Sequence, residues 1–101
     1  MTPKKPKTKR SSKWPSVRTK HLEKYPTCAA CGEKKLSILN VHHVVPVHID
    51  PSQELDPDNL ITLCEGEVVN CHILIGHLMN WKSYNVKVRE ISAMMLEALR
   101  N

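Results

Sequence analysis

The chain contains no phenylalanine, and its 101 residues include only two tryptophans and two tyrosines. Aromatic rings bury more area than other side chains, so a core without them is built from aliphatic and small groups. A domain of this length already buries a modest fraction of its surface, and the fold is therefore expected to need a staple beyond its apolar core. No apolar run approaches the roughly 20 residues that cross a bilayer, which excludes a spanning helix and any membrane partner. Acid is absent from residues 1–20, where Lys4, Lys5, Lys7, Lys9, Arg10, Lys13, Arg18 and Lys20 give +8. A basic N-terminus with no apolar stretch behind it does not read as a secretory signal, and a cytoplasmic location is expected. The length leaves no room for a second core, which excludes a large multidomain enzyme.

What is present is unevenly placed. Residues 21–101 carry seven Lys/Arg against ten Asp/Glu, a net −3, so the whole chain is +5. A basic, apolar-poor arm on a slightly acidic body reads as a polyanion-binding tail, the plainer alternative being a solubilising terminus. Each Lys or Arg set against a phosphate releases condensed counterions, which gives affinity without sequence preference. Residues 1–15 are accordingly expected to be a flexible basic arm and residues 16–101 a single domain. The arm holds no metal ligand and no plausible base, so it is expected to supply affinity rather than chemistry.

Along the body, Ser16 reads as the cap of a helix that Pro26 ends near Tyr25. Cys28 to Gly32 reads as a tight turn. Leu36 to Val45 is β-branched and aliphatic and predicts a strand, residues 50–59 are turn formers, and Leu60 to Leu63 predicts a second strand. Asn70 can cap a helix from Cys71, with Leu74, Leu78 and Trp81 on one stripe. A last helix carries Val88, Ile91, Met95 and Leu99, capped by Ser83 or Asn85. The fold class is α+β.

The four cysteines fall as Cys28-x2-Cys31 and, thirty-two residues later, Cys64-x6-Cys71. Two close pairs joined by a long connection suit a tetrahedral structural Zn²⁺ that ties distant segments together. A disulfide framework or four buried thiols are the rival readings; nothing in the chain directs it to an oxidising compartment. Zinc-binding energy is folding energy, which is what a core without phenylalanine needs.

Of the six histidines, His42 and His43 are adjacent, and His72 and His77 follow the last cysteine. Two adjacent imidazoles with one or two more on a later helix can hold a divalent metal and leave one histidine free as a general base. A metal beside it would polarise a phosphoryl oxygen, and the basic arm then points to phosphodiester hydrolysis. Core filling or a second structural zinc site is the bland alternative. His48 reads as a surface or structural residue, and His21, on the first helix, as a solvent or phosphate contact. Trp81 reads as core and Trp14 as a residue able to stack on bases. Glu65 and Glu67 read as a solvated connection rather than as metal carboxylates.

Taken in order, Cys28-x2-Cys31, His42-His43-x2-Pro46, Asp56-x-Asp58-Asn59-Leu60-x3-Cys64 and Cys71-His72 resemble the HNH endonucleases of the His-Me finger group, over Cys28 to about Trp81. The resemblance implies a ββα-metal core stapled by zinc, with flanking N- and C-terminal helices. It implies that His42 binds a catalytic divalent metal (Mg²⁺, Mn²⁺, Zn²⁺ or Ni²⁺), that His43 activates water, and that Asn59 holds the base in orientation. His72 is implied as a further ligand, with His77 a candidate beside it. Similar small nucleases occur in tailed phages beside DNA-packaging genes, which implies DNA as substrate, a packaging protein as partner and the host cytoplasm as location. The expected products are 5′-phosphate and 3′-hydroxyl ends. The alternative function is a non-catalytic, zinc-stabilised nucleic-acid-binding module.

Two features depart from that pattern. The last two cysteines are separated by six residues rather than the usual two. The position four residues after His72 is Gly76, and His77 lies five on, about 140° around an ideal helix. His42 and His43 raise a further point, because consecutive strand residues face opposite ways; the strand is expected to end or bulge there.

Overall fold

A computed structural model describes residues 9–100 of the chain. Most of the basic arm, residues 1–8, lies outside the described residues. Helix α1 spans Trp14–Lys24. It begins two residues before Ser16, because Pro15 sits in its first turn, where a missing N–H costs nothing and the ring presets the backbone angle. Lys13, not Ser16, occupies the capping position. The helix closes where the Tyr25 N–H donates to the His21 carbonyl at 2.8 Å, and Pro26 prevents continuation.

Strands β1 (Leu39–His43) and β2 (Leu60–Cys64) form a two-stranded antiparallel sheet with Leu39 opposite Cys64 and His43 opposite Leu60. β1 is shorter than the aliphatic run from Leu36 to Val45 predicts. Leu36–Ile38 winds into a single 3-10 turn before it, and beyond His43 the chain bends toward Pro46. Every residue of β2 is buried. The loop between the strands contains two 3-10 turns, Pro51–Gln53 and Pro57–Asn59. Each opens with an aspartate, Asp50 or Asp56, whose carboxylate accepts the N–H two residues on. The end of α1 and the sheet are joined through Thr62, whose hydroxyl donates to the Tyr25 carbonyl and whose own carbonyl accepts from Ala29.

After β2 the expected long helix is replaced by one turn of π-helix, His72–Gly76. The turn ends in two consecutive left-handed residues, Leu78 (φ 54°) and Met79 (φ 68°), with the Met79 N–H closing onto the Ile73 carbonyl at 2.7 Å. Leu74 and Leu78 are exposed and Trp81 is buried from the following turn, so the 3.6-residue stripe drawn through them does not exist. Helix α2 spans Val88–Arg100. Asn85 precedes it and its side chain accepts the Lys87 N–H at 3.0 Å. Its buried side is Val88 and Ser92, with Met95 half-buried, while Ile91 and Leu99 face outward at 40% and 60% exposure. The Arg89 guanidinium donates to the Asp58 and Leu60 carbonyls, fixing α2 to the start of β2.

The protein is therefore a small α+β domain: a two-stranded sheet, flanking helices and a cysteine cluster, consistent with a ββα-metal core. Cys28, Cys64 and Cys71 are as fully buried as Leu63 and Val88, so sulfur fills space that aromatic rings fill elsewhere. Leu63, the penultimate residue of β2, lies against Gly76 of the π-turn. Leu63→Ala is expected to destabilise the zinc-loaded protein by about 2–5 kcal/mol, the range for an unrefilled core cavity, read from the denaturation midpoint in a chemical melt.

Candidate active site

Two clusters of metal-ligating side chains lie on either side of the Cys71–His72 bond. In the first, the sulfurs of Cys28, Cys31, Cys64 and Cys71 all lie within 4.8 Å of one another. Cys28 and Cys31 come from the turn that Gly32 closes at φ +80°, its N–H donating to the Cys28 carbonyl at 2.9 Å. Cys64 ends β2 and Cys71 leads into the π-turn. The six intervening residues are taken up by a tight reversal in which the Gly66 N–H donates to the Val69 carbonyl. Cys31 and Cys64 sulfurs are 3.7 Å apart. That is too long for a disulfide and close to the edge, about 3.8 Å, of a tetrahedron with metal–sulfur bonds of ~2.3 Å.

The four sulfurs strongly perturb one another's acidity. The Cys71 thiol hydrogen-bonds Cys28 and holds it down at about 4, and the same contact, with burial, pushes Cys71 up. Burial lifts Cys64 to about 11. One thiolate is thus stabilised at its neighbours' cost, and four become compatible only around a cation. The donor set, spacing and burial fit a metal such as zinc.

In the second cluster, His42, His72 and His77 have ligating nitrogens within 4.8 Å of one another. Their rings meet edge-on at centroid distances of 4.7–5.0 Å. The five-residue spacing that an α-helix would splay is reconciled by the π-turn. The His77 N–H donates to the His72 carbonyl, an i→i+5 closure, so His77 returns to the side from which His72 projects. Gly76 makes room for the third ring: a Cβ there would lie 3.0 Å from His42 Cε1 and 3.2 Å from Leu63 Cδ1.

Two of the three tautomers are set by hydrogen bonds. His72 Nδ1 contacts Glu65 Oε1 at 2.7 Å, and His77 Nδ1 donates to the Ser83 carbonyl at 2.8 Å. A carboxylate and a carbonyl accept, so each imidazole carries a proton on Nδ1, and Nε2 is the nitrogen through which each would ligate a metal. Asn40 Nδ2 donates to the same Glu65 oxygen at 3.2 Å. The arrangement fits a divalent metal held by imidazole nitrogens with coordination positions left open.

His43 faces away from this cluster, as alternation along β1 requires. Because the strand ends at His43, both rings nevertheless border one cavity of about 140 Å³. His43 Nε2 donates to the Glu54 carbonyl at 2.9 Å, which leaves Nδ1 as the basic nitrogen. Burial is the main cause that lowers the His43 pKa from 6.5, and the Glu54 carbonyl partly opposes it. Asn59 is buried and joins both ends of the loop: its Nδ2 donates to the Val45 and Gln53 carbonyls at 3.0 and 3.2 Å, and its Oδ1 accepts the Val45 N–H at 2.8 Å. Asn59 thereby fixes the main chain immediately before Glu54 and after His43.

Residues 28–77, about half of the chain, match the family model of HNH endonucleases. The chain's core belongs to that family. Neither the curated proteins nor the solved structures contain a significant match. The HNH segment ends at His77, so the matched region contains all four cysteines, the His42–His43 pair, Asn59 and the π-turn.

Among the other residues, Trp81 is buried and His48 and Glu67 are exposed as their sequence reading predicts, whereas Glu65 and His21 fall differently. Glu65 is not a solvated connector but the partner of His72; the contact spans the Gly66–Val69 reversal, which no local pattern announces. Glu67 is exposed. Trp14 stacks on His43 at 4.5 Å between centroids, and Trp81 packs on His72 and His77 at 5.0 and 4.9 Å. His48 is exposed at the cavity rim. His21 is buried against Tyr25 on another face, and burial foremost lowers its pKa.

Cys28→Ser is expected to release about one zinc per chain and to unfold much of the domain, measured by metal analysis beside circular dichroism. Glu65→Ala should keep the zinc and lower divalent-metal affinity at the histidine cluster by about 10–100-fold, the usual effect of removing a ligand's hydrogen-bond partner, read by calorimetric titration.

Proposed function

We propose that this HNH protein is a metal-dependent endonuclease that hydrolyses DNA phosphodiester bonds. The observation that carries the reading is the meeting, in one cavity, of an imidazole with a single committed nitrogen and a three-imidazole cluster. His43 is the general base. Its Nε2 proton is engaged by Glu54, so Nδ1 can take a proton from water, and the lowered pKa keeps it unprotonated at neutral pH. His42, His72 and His77 would hold one divalent ion, Mg²⁺, Mn²⁺, Zn²⁺ or Ni²⁺. Such an ion would supply charge stabilisation for the reacting phosphate. In-line attack of the water oxygen on phosphorus breaks the P–O3′ bond, and the departing 3′ oxygen takes a proton from solvent, which leaves 5′-phosphate and 3′-hydroxyl ends. Asn59 serves as the positioning residue, since it fixes the loop from which the Glu54 carbonyl reaches His43.

The basic arm, residues 1–15, is the source of general affinity for DNA, and residues 16–101 form the nuclease domain. Resemblance to small phage nucleases supports a role in DNA processing or packaging, in the host cytoplasm and beside a packaging protein.

The test is cleavage of plasmid by wild type in Mg²⁺ or Mn²⁺, with EDTA as control and zinc content followed throughout. Metal-dependent nicking is expected; retardation of the plasmid without cleavage would leave only the zinc-stabilised binding module. His43→Ala should slow single-turnover cleavage by about 10²–10⁴-fold while metal affinity stays near wild type. His42→Ala should instead weaken metal binding and recover part of its rate at higher metal. The pH profile follows from the sign of the His43 shift. The base is lost as pH falls through a pKa lying below 6.5, so kcat should hold through neutral pH and decline only on acidification past that value.

A further inference from the structure

The end of the basic arm is built into the cavity rather than trailing from it. The Ser11 N–H donates to Glu54 Oε2 at 2.8 Å, across 43 residues of chain. Glu54 is the residue whose carbonyl holds His43, and its side chain is buried at 9% exposure. A buried carboxylate needs a donor, so this tether is a structural requirement of Glu54 and not a loose surface contact. Three residues on, Trp14 opens α1 and lays its ring on His43. The Arg10 guanidinium lies 5.8 Å from the Trp14 ring centroid, on the cavity wall shared with His42, His43 and His72. Among the described residues lining that cavity, Arg10 is the only lysine or arginine.

We propose that Arg10 is a catalytic residue that grips the phosphate being cleaved. This rests on the nuclease reading above. During in-line attack the phosphorus group carries added negative charge over its non-bridging oxygens, and a cation aimed at that charge lowers the barrier. A metal held by the histidine cluster would offset only part of that charge, and a second cation would share the rest. A planar guanidinium can bind two oxygens at once. Stacking on Trp14 and the Ser11–Glu54 tether hold Arg10 at the cavity before substrate arrives. The arm thus supplies chemistry at Arg10 as well as the affinity expected of its lysines.

The experiment compares Arg10→Ala with Lys9→Ala and Lys13→Ala, which remove the same charge from exposed neighbours. Each is assayed by single-turnover cleavage across a DNA titration, with Mg²⁺ or Mn²⁺ present and zinc content checked. Arg10→Ala should lower the rate at saturating DNA by about 10²–10³-fold, with a small change in DNA affinity. Arg10→Lys should recover part of that loss. Lys9→Ala and Lys13→Ala should weaken DNA binding modestly, and their rate at saturating DNA should stay well above that of Arg10→Ala. If Arg10→Ala matches the lysine variants, Arg10 is an affinity contact only and the inference is overturned while the nuclease reading stands. If wild type itself does not cut in either metal, the nuclease reading falls and this inference falls with it.

Discussion

Four sulfurs crowded within 4.8 Å, three of them on fully buried cysteines, are the constraint on which the rest of this molecule depends. Without a cation they cannot all be thiolates, and with one they join the Cys28–Gly32 turn, the end of β2 and the start of the π-turn at a single point. A chain without phenylalanine has little else with which to hold a two-stranded sheet, which is marginal on its own. The position of Cys71 matters most. Anchoring it fixes where the π-turn begins, and the next residue is His72. The cysteine cluster therefore sets the geometry of the histidine cluster through one peptide bond.

The π-turn is the second device. An α-helix beginning at the same residue would carry His72 and His77 apart. Widening one turn to an i→i+5 closure turns an awkward spacing into a convergent pair, and Gly76 leaves the surface of that turn bare where the His42 ring must lie. The cost is visible at Leu78 and Met79, whose left-handed backbone is unfavourable by roughly 1–2 kcal/mol each for residues with a side chain. Such strain persists where surrounding contacts over-determine it, and here the Met79–Ile73 and Ser83–His77 bonds do so.

Much of this was legible in the chain. Cysteine spacing predicts the four-sulfur cluster, and β-branched runs between turn formers predict the two strands. The family is legible in the order of its motifs. What escaped has a common cause. A hydrophobic period of 3.6 assumes regular helix, so Leu74, Leu78 and Trp81 read as one stripe although the backbone widens at Gly76. Glu65, Glu54 and Ser11 act through contacts that depend on loop closure, in the last case across 43 residues, and leave no periodic trace. Trp81 is core as its pattern predicts, but for either tryptophan the sequence gives a ring's chemistry and not its neighbour. Both neighbours are imidazoles.

The loop from Val44 to Asn59 is knotted at its base. The Val44 N–H meets the Asn59 carbonyl, and the Asn59 side chain clasps Val45 and Gln53. Its tip, around Ile49, lies outside that clasp and is exposed on the side of the cavity rim that carries His48. Extra chain spliced into the tip would lengthen a closed loop at only about 0.6 kcal/mol per doubling, without pulling on Glu54 or His43. The tip is in this sense editable on its own: its length and side chains can change while the clasp at the base keeps His43 and Glu54 in register.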